Sequence, residues 1–115
     1  MCEVPLYDLT AFRAMDEEDP GALAKIVQVF LDSTPEVLHD LNEAYQAADL
    51  QALAHLAHKL KATIDILSIY PLKQLIRDIE KAGKTGEGKE NLPQLMETLN
   101  RTTEKVFTEI RREIS

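Results

Sequence analysis

His58 is the residue through which this chain could do covalent chemistry. It lies in the run HLAHKLKATIDILSI, positions 55 to 69. Taken as a helix that begins a little earlier, this run carries Leu50, Leu53, Leu56, Ala57, Leu60, Ile64 and Leu67 on one side, at about 100° per residue. His58 falls roughly 140° from the centre of that side, so its imidazole is predicted to stand in water. Ala54 and Ala62 lie one turn below and one turn above it. Both are small, leaving room for a phosphoryl group or a large partner. Lys61 lies one turn on, and Asp65 two turns on in nearly the same line. An imidazole with an unperturbed pKa of about 6.5 keeps a nucleophilic lone pair near neutral pH. A lysine one turn away adds a positive charge near it. The pattern predicts a nucleophile that another protein approaches, with Ala54, Ala62, Asp65 and exposed Ile66 forming the docking surface.

Other chemistry finds less support. His55 and His58 are spaced i, i+3, but two ligands from one helix make a poor metal site without a further Cys or His beside them. No metal site is predicted. His39 reads as a surface residue and Cys2 as a thiol near the chain start without a role. There is no Walker loop, no kinase-type glycine-rich loop and no convergent set of acids, histidines or cysteines.

The elements that must hold His58 are all predicted helices. Tyr7 to Met15 gives a short helix, 7–15, with Asp8 as its cap. Asp19-Pro20 opens a second, 20–32, carrying Leu23, Ile26, Val27, Phe30 and Leu31. Ser33-Thr34-Pro35 repeats the start signal, so a new helix is expected over 34–48. Asp49 caps the His58 helix, 49–67. Tyr70-Pro71 opens 70–83, with Gly83 as its C-cap. The polar stretch KTGEGKE, 84–90, is a loop, and Asn91-Leu92-Pro93 opens the last helix, 91–114. Thr102 and Thr103 interrupt its apolar stripe, which predicts a looser layer there. No segment alternates with period two, so no strand is expected. The predicted fold is all-α: an antiparallel up-down four-helix bundle with one or two additional N-terminal helices, in one domain over 1–115.

Composition narrows the partners. The chain has 115 residues, 44% of them hydrophobic, with a formal net charge of −7 from 20 acidic and 13 basic residues. Nucleic acid and anionic membranes both select a basic face, so neither is expected as a partner. A single cysteine allows no internal disulfide and fits a reducing compartment. No apolar run approaches the ~18 residues of a membrane span, and no signal-like N-terminus is evident. The expectation is a monomeric cytoplasmic domain.

The run AHKLKATIDILS resembles the A-H-x-L-K-G-S-S motif of histidine-containing phosphotransfer (HPt) domains, which serve bacterial multistep signalling relays. Ala57, His58, Leu60 and Lys61 match directly. Thr63 stands where the family often has Ser, Ala62 replaces the first Gly, and Ser68 the later one. Leu72, Leu75 and Glu80 fit the family's next helix. The resemblance implies that His58 accepts a phosphoryl group and that Lys61 is its nearby cation. It implies a carrier without its own ATP-dependent kinase activity and with no cofactor of its own. Mg²⁺ and the acceptor aspartate would come from a receiver domain, in a response regulator or hybrid histidine kinase. The alternative is an HPt-like adaptor that uses the same face to bind a signalling partner without carrying phosphate.

Overall fold

The computed structural model describes residues 6–113. Cys2 and Ile114 therefore lie outside the described residues. Five α-helices follow in order: α1 Thr10–Glu18, α2 Ala22–Gln46, α3 Leu50–Ile66, α4 Tyr70–Thr85 and α5 Leu92–Arg111. A single 3-10 turn, Lys89–Asn91, leads into α5. No strand occurs among the described residues. Helices α2 to α5 run up and down as a bundle, and α1 packs against α2. The antiparallel sense shows in the cross-pairs. Asn42 and Asn100 exchange side-chain amide hydrogen bonds of 2.9 and 2.8 Å between α2 and α5. The Phe30 and Phe107 rings meet further along the same pair, 5.3 Å apart.

The helix starts follow local capping chemistry. Asp49 Oδ1 accepts the Ala52 amide at 3.1 Å and begins α3 as the sequence predicts. Asp8 Oδ1 takes the Thr10 amide at 2.9 Å, which starts α1 at Thr10 instead of Tyr7. The start of α2 is anchored by Asp16, not Asp19: Asp16 Oδ1 accepts from the amides of Gly21 and Leu23. Ser68, just beyond α3, has φ of +49°, in the left-handed region. Its amide bonds Asp65 O and the Ile69 amide bonds Ile64 O, which closes the helix end. A left-handed conformation suits glycine and costs a serine roughly 1–2 kcal/mol.

The helices expected at 20–32 and 34–48 are one. Pro35 lies inside α2, which runs without interruption through it. The reason is packing. Val27 and Phe30 before Pro35, and Leu41 and Ala44 after it, are all buried on one stripe. Keeping that stripe against the core outweighs the hydrogen bond that Pro35 cannot donate, a local cost of about 3 kcal/mol. Pro35→Ala should restore that bond without disturbing the exposed surface it sits on. We expect a gain of about 1–3 kcal/mol in chemical denaturation, partly offset by greater freedom of the unfolded chain. A loss of stability would mean that the bundle is built around the proline.

The core is filled by Leu41, Leu53, Ala57, Ile64, Leu72, Ile76, Ile79, Leu99, Val106 and Ile110. The layer at Thr102 and Thr103 is tighter than expected. Thr103 is buried, and its hydroxyl donates to Leu99 O at 2.9 Å, so the polar atom enters the core satisfied. No helix among the described residues is long and apolar enough to cross a membrane.

Candidate functional site

Helices α3 and α4 pack antiparallel along their length and share the site. His58 projects from the middle of α3 with its side chain 64% exposed. Its Nδ1 lies 2.8 Å from Oε2 of Glu80 on α4. The Glu80 side chain is only 8% exposed. Its other oxygen, Oε1, accepts from Lys61 Nζ at 2.7 Å. Lys84, one turn further along α4, brings its Nζ to 3.4 Å from Oε2.

These contacts decide the protonation of the site. The hydrogen bond from Lys61 holds the Glu80 carboxyl down at about 2, helped by His58 and Lys84 and opposed by burial. Glu80 is therefore ionised at neutral pH and can only accept hydrogen bonds. The contact with His58 requires the ring hydrogen on Nδ1. In the neutral imidazole the lone pair is then on Nε2, on the ring edge away from the buried carboxylate. Glu80 thus orients the ring, fixes its tautomer and leaves Nε2 with the free lone pair.

The remaining predicted site residues divide. Ala62 is exposed, as expected, and Ile66 is 61% exposed. Ala54 is not part of this surface: it is buried. The helical wheel assumes one apolar side against one core, but α3 is flanked by both α2 and α4. Ala54 faces α4, opposite Gly83. Asp65 is exposed but does not pair with Lys61; it bonds Arg77 of α4 at 2.8 Å. Lys61 prefers the buried carboxylate because an ion pair gains more where water is excluded. His55 is exposed; His39 pairs with Glu43 at 3.1 Å and, with Asp40, forms an exposed group whose ligand atoms lie within 4.8 Å of one another.

Glu80 is the site residue that the sequence analysis did not assign a role. A signal was present: Glu80 follows Ile76 by four residues and so continues the buried side of α4. A carboxylate on such a side needs cationic or hydrogen-bonding partners. Beside the site, α2 and α3 leave an apolar groove of about 300 Å³, lined by Ile26, Val29, Phe30, Thr63 and Ile66, with Lys25 at its edge. His58, Ala62 and Ile66 follow one another at four-residue steps toward it.

Comparison with known proteins bears on the fold. The Hpt domain profile matches residues 25–114, which contain nearly all of α2 and the whole of α3, α4 and α5. No curated protein sequence matches the chain. Among solved structures it is similar to the crystal structure of histidine-containing phosphotransfer protein B (HptB) from Pseudomonas aeruginosa PAO1. The TM-score is 0.82 at 25% sequence identity, and the likeness covers 96% of each chain. With the matched segment spanning the bundle and the solved relative sharing its fold, this chain belongs to the Hpt domain family.

Proposed function

We propose that the domain carries a phosphoryl group on Nε2 of His58, between the aspartates of receiver domains. The observation that carries this reading is an exposed imidazole whose Nδ1 is tied to a buried, ionised carboxylate. In the forward step the Nε2 lone pair attacks the phosphorus of an aspartyl phosphate. The Nε2–P bond forms, the P–O bond to the aspartate breaks, and the aspartate leaves as a carboxylate. The ring becomes a phosphoimidazolium with its hydrogen still on Nδ1, and Glu80 stabilises that cation. The onward step reverses the same movements, with a second aspartate as nucleophile and the neutral imidazole as leaving group.

Lys61 has two parts in this scheme. It holds the carboxylate ionised beside the ring and keeps a positive charge within reach of the phosphoryl oxygens. Mg²⁺ and the acceptor aspartate are assigned to the receiver. The acid beside His58 has its oxygens engaged by Lys61, His58 and Lys84, which does not suit a metal ligand. The domain acts as a carrier, with no ATP-dependent step of its own.

The test is transfer from a phosphorylated receiver domain carrying labelled phosphate. Label that is acid-labile and base-stable should appear on this chain; its absence across a panel of receivers would overturn the reading. The exposed row from His58 to Ile66 is proposed as the docking surface, replacing the set that included Ala54. Ala62→Arg puts a long cation beside the ring at an exposed position, where folding should change by no more than about 0.5 kcal/mol. Transfer should fall by about 10-fold or more, since misplacing reacting groups by about 1 Å costs on the order of 100-fold. Circular dichroism should be unchanged. Transfer at the normal rate would remove Ala62 from the interface.

A further inference from the structure

We propose that Gly83 is a positioning residue for this site, because it sets the distance between α3 and α4 at which Glu80 can reach His58. Gly83 lies inside α4, not at its end; Gly86, with φ of +77°, is the residue just beyond the helix. A Cβ at position 83 would lie 2.8 Å from Ala54 Cβ, from Ala54 N and from Leu50 O. Two of these three atoms are backbone of α3, so no rotation of a side chain relieves the contact. One methyl group there must move one helix away from the other. The contact lies one turn from the functional pair on both helices: His58 follows Ala54 by four residues, and Glu80 precedes Gly83 by three. The Glu80 carboxylate spans from His58 Nδ1 at 2.8 Å to Lys61 Nζ at 2.7 Å. That double contact leaves little slack for a displaced α4.

Helix propensity alone says the opposite. Alanine is the better helix former, so an interior Gly→Ala change should firm α4 and leave His58 untouched. The experiment separates the two. Long-range ¹H–¹⁵N spectra of the His58 ring report which nitrogen bears the hydrogen, with or without any phosphotransfer. With the ring neutral, Nδ1 should be protonated and Nε2 bare in the parent protein. In Gly83→Ala the ring should become a mixture of tautomers, and transfer from a phosphorylated receiver should fall about 10- to 100-fold. Val106→Ala, a core change on α5 next to the ring of Phe107 that packs on Phe30 of α2, should keep the parent tautomer. A folded Gly83→Ala with the parent ring spectrum and transfer rate overturns the proposal. Should that variant fail to fold, Ala54→Val drives the same wedge from α3, and a parent-like spectrum there overturns it equally. The activity arm rests on the phosphotransfer reading, but the spectra do not. Failure of transfer in the parent protein would reject that reading and leave the role of Gly83 to be decided by the tautomer.

Discussion

His58→Gln is expected to take up no phosphoryl label from any receiver that labels the parent protein. The glutamine amide nitrogen has no basic lone pair, so no N–P bond can form. The fold should survive. The ring is largely exposed, and substitutions at exposed positions usually change stability by no more than about 0.5 kcal/mol. The glutamine amide can also donate to the Glu80 carboxylate, so the buried acid keeps hydrogen-bond partners. The measurement is labelling by a phosphorylated receiver, followed by acid and base treatment and a thermal melt of the same sample. Label persisting on the variant would move the acceptor elsewhere, with His55 and His39 the remaining histidines. If receiver binding and signalling both survive in His58→Ala, the adaptor reading replaces the carrier.

The second large effect is expected at Glu80. Glu80→Ala leaves the imidazole free to rotate and exchange tautomers, and leaves Lys61 without its carboxylate. Transfer should fall by roughly 10- to 100-fold, the loss seen when a metal-ligating imidazole is deprived of the carboxylate that orients it. Stability should fall by about 1–3 kcal/mol, because hydrogen bonds to a buried charged group are lost. Glu80→Gln separates charge from geometry. Its carboxamide oxygen can still accept from Nδ1, so the tautomer should hold, but the phosphoimidazolium loses its counter-charge. Transfer is expected between those of the parent and the alanine variant. The acid side of the stability curve gives an independent check. The Glu80 carboxyl is held down from 4.5 to about 2 in the folded chain. Its stabilising contribution is therefore complete above the ordinary carboxyl range and drains away as the pH falls from about 4.5 toward about 2. In Glu80→Gln that part of the acid-side slope should vanish. An unchanged slope would show that the Glu80 ion pairs contribute nothing to folding.

The reach of the sequence differs from residue to residue. The apolar period of α3 placed His58 in water correctly, because most of that helix obeys one buried side. The same wheel failed at Ala54, where a second helix comes close enough to cover a position outside the main stripe. Which neighbour covers which flank depends on how helices cross, and no local pattern encodes it. Pro35 misled for a related reason. Its effect on the backbone is local, whereas the burial that carries α2 through it involves residues on several helices. Gly83 shows the ambiguity of glycine. A position short of atoms can end a helix or admit a neighbouring backbone, and the nearby Gly86 takes the first role here. The mate of the imidazole was present in the sequence as an acid on the buried side of α4. Lys61 points to that same acid, and neither contact can be read from spacing within a single helix.

The segment just before α1 has a consequence for how that helix is held against the bundle. Tyr7 donates its hydroxyl to Glu113 at 3.1 Å, and Arg13 pairs with the same carboxylate at 2.7 Å. The Asp8 amide meanwhile bonds Leu67 O, where α3 ends, about 14 Å by helical rise from His58. These contacts tie the start of α1 to the residues just past α5 at the pole where α3 ends, so the side chains that hold α1 in place lie well away from His58.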